Sequence, residues 1–443
     1  MNTLFFIDYD NPQFNEFQRV YYKALHDWGA INILYRRGII EAANNLAERL
    51  LTDCIKYELT DLCVAILERL KDTYARQIGN KKKYYELKEK FWDYKAVWDA
   101  EHRACDAFND IRLEYVKSTA YRPETSLNAK TLLDSLEPYR AQYDSFMFVF
   151  NYYLVKEAIY SAKHDWKGLL PMCDEAIAYF NAKPFNVKAY IAIFLNQKAI
   201  ALLMLRRFEE CHVVLDEALA LQEEGNVNWF KTMEKKMLLY FQTDAYTEGY
   251  ALYNRVRNIK EFKNLQGHGA EIWRLFEAYL YLGASFGKIP HIDRHAKNTF
   301  GNFRLSKFLN EIPTFSQDKK GMNIPVLVIQ IVLMVIEKDK KLVDRIETIE
   351  KYLVRNVPKS DIANYRSNQF IKALVELPKE NFKVKAIQRK TDKIIKDMMS
   401  VPYDIMATGY KMEVLSFEVL WQTILRELNT KGFEVMRLKV NIA

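Results

Sequence analysis

A pattern that occurs three times in the middle of the chain constrains the fold more than any other feature. Each copy has an aromatic residue, a second position three residues later, and a third seven residues after that. The copies are Trp166, Leu169 and Ala176, then Phe208, Cys211 and Ala218, then Tyr246, Gly249 and Val256. Their aromatic residues lie 42 and 38 residues apart. A period of this length is typical of stacked helix pairs, so we predict an all-α fold, an α-solenoid of antiparallel helix hairpins.

The composition favours the same fold class. The 443 residues include only 14 Gly and 11 Pro, and a β-rich fold would need many more turn residues. Hydrophobic residues make up 49% of the chain, which is enough for a continuous core. We therefore expect long helices with short connections.

The pattern divides the chain into three predicted regions. Residues 1–142 form an N-terminal helical region, residues 143–285 the regular repeats, and residues 286–443 C-terminal hairpins with a basic helix and a tail. The first region contains an uninterrupted amphipathic helix, 81–117, which either projects as an arm with 131–141 or, as we favour, packs on the flank of the solenoid. The tail, 433–442, alternates apolar and polar residues and is either a strand or an irregular end.

The sequence shows neither a secretory signal nor a membrane span. The longest apolar run, 324–336, is shorter than the roughly 20 residues that a spanning helix needs, so we predict a buried helix there. The five cysteines include no C-x-x-C pair, and an odd count in a long chain argues against a disulfide framework. These features predict a cytoplasmic protein.

At the register of these hairpins the chain resembles tetratricopeptide-repeat proteins, in which a small residue of the second helix faces a large residue of the first. The large residues would be Tyr160, Leu202 and Tyr240, and the facing positions Leu169, Cys211 and Gly249. The period is longer than the 34 residues of that family, and Leu169 is not small. The resemblance implies a groove along the first helices that recognises a peptide.

Two further segments are similar to a group of tetratricopeptide-like proteins found in Bacteroidota, to which no activity is assigned. These segments are 11–15 (NPQFN) and 308–323 (FLNEIPTFSQDKKGMN). The similarity implies the same helical fold over most of the chain, and it indicates no substrate.

The common catalytic and phosphate-binding motifs are absent from the sequence, so we predict a non-enzymatic protein without cofactor or metal. Two local motifs offer alternatives. His291 and His295 would share a helix face and could bind a divalent metal, but surface histidines are the favoured interpretation. Asp8 and Asp10 follow a short apolar run, as in Mg²⁺-dependent sites, but no βαβ pattern follows them.

The leading functional hypothesis is a scaffold that binds a protein or peptide through the concave face of the solenoid. The candidate groove residues on the first helices are Asn151, Lys156, Lys188, Asn196, Lys231 and Lys235. The alternative hypothesis is nucleic-acid binding through the basic segment 379–396, which contributes +5 to a net charge of +8. Its candidate residues are Lys383, Lys385, Arg389, Lys390 and Lys393.

Overall fold

A computed structural model describes residues 16–117, 123–265, 268–292, 299–300, 304–310, 323–356, 365–401 and 413–430. Within these ranges every regular element is a helix, which confirms the predicted all-α class. The chain forms two compact units. The predicted boundaries after residues 142 and 285 differ from the division between the units and stay predictions.

The first unit takes residues 1–114 and 122–195. Its helices are α1 (Glu16–Arg36), α2 (Ile40–Lys56), α3 (Thr60–Thr73), α4 (Lys81–Lys117), α5 (Pro123–Arg140), α6 (Phe146–Lys163), α7 (Trp166–Asn181) and the first half of α8 (Lys188–Met204). Consecutive helices pack as pairs, α1 with α2, α2 with α3, α5 with α6 and α6 with α7.

The second unit takes residues 115–121 and 196–443. After α8 its helices are α9 (Phe208–Ala220), α10 (Val227–Gln242), α11 (Tyr246–Arg257), α12 (His268–Ser285), α13 (Leu305–Asn310), α14 (Asn323–Ile336), α15 (Leu342–Asn356), α16 (Tyr365–Lys379), α17 (Val384–Met399) and α18 (Phe417–Leu428). Consecutive helices from α9 to α12 and from α13 to α18 pack together, and α12 also contacts α10 and α14.

The long helix α4 has the bounds that the sequence predicts and lies against other helices of its unit. Leu87 and Phe91 are buried in the same apolar cluster as α1, α2 and α3. The ammonium of Lys71 on α3 lies over the ring of Phe91, and the guanidinium of Arg103 lies over the ring of Tyr139 on α5. Residues 87–103 of α4 therefore pack against other helices of the first unit, which favours a packed helix over a projecting arm, and its place on the flank of a solenoid stays a prediction.

The three copies of the repeat pattern occupy equivalent places in the helices. Trp166, Phe208 and Tyr246 each begin a second helix, α7, α9 and α11. The two positions that follow are buried in every copy. The pattern therefore marks the side of the second helix that packs inward.

Two glycines set how closely helices approach at these seams. The ring of Tyr160 lies against Gly168, where an added Cβ would be 2.6 Å from its Cε1. Tyr160 therefore meets the small residue beside Leu169, which explains how a leucine occupies the expected facing position. In the third copy a methyl group at Gly283 of α12 would overlap the buried ring of Tyr246.

Helix α14 is buried on every side, as the sequence predicts for its apolar run. Every side chain from Val326 to Val335 is less than 9% exposed. Helices α12, α13, α15 and α18 contact it, so its apolar surface is shared among four neighbours.

Helix α18 is held in place by a buried ion-pair network. The guanidinium of Arg366 on α16 donates to both carboxylate oxygens of Glu413 (2.8 and 3.1 Å) and to both of Glu418 (2.8 and 3.0 Å). It also donates to the backbone carbonyls of Met398 and Val401, at 3.1 and 2.9 Å. Because Arg366 and Glu413 are each 7% exposed, the network ties α16, the end of α17 and the start of α18 together.

A pair of glycine substitutions tests the seam. Gly283→Ala should destabilise the protein by about 1–3 kcal/mol, because the methyl group overpacks against a ring that cannot move aside. Gly249→Ala should be neutral or stabilising by up to about 1 kcal/mol, because its Cβ would meet Tyr240 at an ordinary 3.5 Å and alanine favours a helix. Urea denaturation measures both, and equal stability of the two variants would contradict the packing.

Candidate functional site

The structure separates the six predicted groove residues into different environments. Asn151 on α6 is buried, and its amide donates to the carbonyl of Met147 at 2.9 Å, so its exposure was wrongly expected. Lys156 on the same helix pairs with Glu175 at 3.1 Å. Lys188, at the start of α8, is exposed.

Asn196 belongs to a polar contact inside the second unit. Its amide donates to the hydroxyl of Thr232 on α10 at 2.9 Å. Thr232 is fully buried and also lies 2.9 Å from the side-chain oxygen of Gln222. Asn196 therefore joins α8 to α10 and contributes to packing more than to a surface.

Lys231 and Lys235 lie together on one face of α10, where residues three and four apart are neighbours. We define the α10 stripe as the residues at this spacing, Val227, Lys231, Lys235, Leu238 and Gln242. Val227 and Lys231 are exposed, Lys235 is half-buried and Leu238 is buried. At the far end, the amide of Gln242 donates to the carbonyl of Val414, in the segment that leads into α18, at 2.7 Å.

Lys235 is a partly desolvated cation. Burial lowers the pKa of its ammonium, and burial also raises the pKa of the neighbouring Glu234 carboxyl. The Lys235 ammonium donates to the carbonyl of Lys231 at 3.2 Å. An additional carboxylate at this place would favour its charged form.

The predicted basic residues form an exposed surface on α17. We define the α17 basic face as Lys383, Lys385, Arg389, Lys390 and Lys393, all of them exposed. The opposite side of the helix carries the buried residues Ile387, Thr391 and Met398, and the helix packs against α16 and α18. The helix is therefore fixed to the unit by one side and presents cations on the other.

The cations of this face are free of partners within the described ranges. None of the five side chains makes a hydrogen bond or ion pair with a described residue, whereas the flanking Lys379 and Lys396 pair with Glu376 and Asp392. The contrast leaves uncompensated charge at the centre of the segment.

A cleft of about 270 Å³ opens in the first unit, and the sequence did not indicate it. Three segments line it. They are the region around the α2–α3 turn (Ile55, Glu58 and Thr60), the middle of α4 (Asp93, Tyr94 and Val97) and the residues just before α6 (Asp144 and Ser145). It forms because residues distant in sequence meet there.

Glu58 connects the α2–α3 turn to the start of α6. Its backbone is left-handed at φ 52°, which is costly for a residue with a side chain. Its carboxylate accepts the Phe146 backbone N–H at the start of α6 (2.6 Å) and the Lys183 ammonium (2.7 Å). Negative charge at a helix N-terminus is stabilising, so Glu58 serves as the cap of α6.

Beside the cleft, a buried acid links α3 to α4. The hydroxyl of Thr60 donates to a carboxyl oxygen of Glu101 at 2.8 Å, and Glu101 is 7% exposed. Burial raises the pKa of Glu101 to about 7. The carboxyl is therefore neutral over part of the range in which ordinary acids are charged.

The remaining sequence candidates form no site among the described residues. His291 has a left-handed backbone in a turn, so it does not lie in a helix. His295, Asp8, Asp10 and the tail 433–442 lie outside the described residues. Among the described residues, acidic, histidine and cysteine side chains form no group of three suited to a metal, and no helix there has the length and apolarity to cross a bilayer.

Comparison with known proteins adds no relative. No protein-family model matches the chain, and no curated protein or solved structure is significantly similar to it.

The buried acid predicts a pH dependence of stability. Because the folded pKa of Glu101 is about 7 against 4.5 for an ordinary glutamate, the folded state holds a proton that the unfolded chain releases. The resulting stabilisation is present below about pH 4.5 and is lost as the pH rises through 7. Glu101→Gln, which keeps an acceptor for Thr60, should raise the free energy of unfolding at pH 8 by up to roughly 3 kcal/mol.

Urea denaturation at pH 5 and pH 8 measures this effect. The gain should be much smaller at pH 5, and Glu89→Gln, at an exposed position of the same helix, should change stability little at either pH. An E101Q gain that is equal at both pH values would contradict the assignment.

Proposed function

We propose that this protein is a non-enzymatic scaffold, a tetratricopeptide-like α-solenoid that binds a peptide segment of a protein partner along the first helices of its hairpins. The partner segment would be amphipathic and would carry carboxylates one helical turn apart. The observation that carries the proposal is the way in which the second unit holds its own helix α18.

Helix α18 packs against α14 and α17, and the ring of Phe417 stacks on that of Phe370 of α16, with centroids 4.5 Å apart. Trp421 meets the same ring edge-on at 6.3 Å. Of these three neighbours, α14 and α16 are the first helices of two successive hairpins. An amphipathic helix laid into an apolar groove is a recurrent mode of peptide recognition, and the packing of α18 supports the same mode for a partner segment.

One end of the α10 stripe contacts the segment that leads into α18, through the hydrogen bond from Gln242 to the carbonyl of Val414. Further along the same face, Lys235 and Lys231 offer two cations one turn apart, followed by the exposed Val227. The Lys235 ammonium is already partly desolvated in the protein alone. A carboxylate beside it would replace the lost hydration by an ion pair, and the ammonium would need little further desolvation.

Binding of a defined peptide tests the proposal. A fluorescein-labelled helical peptide of about 18 residues, with leucines on one face and glutamates on the other, should bind at about 0.1 M salt, and a leucine–lysine counterpart should not. Lys231→Glu should weaken binding of the acidic peptide about tenfold, which corresponds to about 1.4 kcal/mol. Fluorescence anisotropy measures the affinities.

Two controls locate the site. Lys263→Glu reverses an exposed charge outside the first helices and should change affinity by less than about twofold. Lys390→Glu with Lys393→Glu should also leave peptide binding intact, because these residues lie on the α17 basic face. Equal affinity for both peptides, or equal loss in K231E and K263E, would exclude the α10 stripe as the binding surface.

A further inference from the structure

We propose that the α17 basic face binds the phosphate backbone of double-stranded nucleic acid, without reading its sequence. This interaction is separate from the α10 stripe and does not depend on peptide binding there.

The geometry of the helix arranges the cations in adjacent rows. Lys385, Arg389 and Lys393 recur every four residues and so share one side of the helix, and Lys390 lies at the edge of that side. The opposite side is buried against the unit, which prevents α17 from turning its cations elsewhere. The face is therefore rigid in orientation and permanently exposed.

The charges repel one another in the isolated protein. Like charges three and four residues apart destabilise a helix, and none of the five forms an ion pair with a described residue. The segment 379–396 contributes +5 of the net +8, so the excess charge of the chain is concentrated here. A polyanion would relieve the repulsion and release counterions on binding.

The dimensions suit a duplex backbone. From Lys385 to Lys393 the helix rises about 12 Å, and along one strand of a duplex phosphates succeed one another every 3.4 Å or so of the axis. The face therefore spans about three or four phosphates. Long lysine side chains adapt to this spacing because they act as flexible point charges.

The surroundings of the face favour a duplex over other polyanions. Helix α17 contains no aromatic residue, and its neighbour Phe382 is buried, so the face lacks the rings on which single-stranded bases stack. Met399 is the large apolar side chain of α17 that is exposed, at 59%, whereas protein interfaces depend on apolar or aromatic anchors. The buried apolar side of α17 cannot enter a lipid surface as an interfacial helix does.

Anisotropy of a fluorescein-labelled duplex of about 30 base pairs tests the interaction. For four phosphate contacts, affinity should fall about 100-fold between roughly 50 and 200 mM salt. Lys390→Glu with Lys393→Glu should weaken binding at the lower salt at least about tenfold and reduce the slope of log K against log salt by about 1.8.

Matched variants separate this face from general charge. Lys81→Glu with Lys82→Glu makes the same change in net charge at exposed positions of α4 and should alter affinity by less than about threefold. Lys231→Glu should leave duplex binding unchanged. Circular dichroism confirms folding, and if the double Glu variant unfolds, K390Q/K393Q against K81Q/K82Q makes the comparison.

Several outcomes would overturn the proposal. These are absence of binding at the lower salt, equal loss in the two double variants, and a salt slope near zero. Tighter binding of poly-glutamate or of vesicles rich in phosphatidylserine, abolished by K390E/K393E and not displaced by duplex, would instead assign the face to an acidic protein or to a membrane surface.

Discussion

The burial of α14 is the constraint on which the second unit depends. A helix that is apolar on all sides cannot keep a face toward water, and each fully buried aliphatic side chain contributes about 1.5–3 kcal/mol. Helices α12, α13, α15 and α18 supply the cover. Even the polar residue within it, Gln330, uses its amide to donate to the Phe308 carbonyl of α13 at 2.6 Å. The placement of α18, and with it the Arg366 network, follows from this requirement.

Local features of the fold could be predicted from the sequence. The bounds of α4, the starts of α7, α9 and α11, and the burial of α14 agree with the pattern, because helical periodicity and turn residues act within a few residues of one another. The sequence did not show that Tyr160 packs on Gly168 or Tyr246 on Gly283. The second of these contacts joins residues 37 positions apart, and their closeness depends on the rotation of each helix.

The candidate sites follow the same division. The exposure of the α17 basic face could be predicted, because a run of cations with apolar residues on the other side has one favourable orientation. The exposure of the individual groove residues could not be predicted. The side-chain amides of Asn151 and Asn196 make hydrogen bonds within the protein, whereas Lys231 is exposed. The cleft and the Thr60–Glu101 contact join separate helices, and no spacing in the sequence signals them.

The order of helices along the chain has a consequence during synthesis. The surface of α14 that α18 covers leaves the ribosome about 80 residues before Phe417. Protein synthesis proceeds at about 5–20 residues per second, so this apolar surface stays uncovered for roughly 4–16 s. During that interval it can contact other nascent chains. The early part of the second unit therefore keeps an uncovered apolar surface until α18 has been made and Arg366 can engage Glu413 and Glu418.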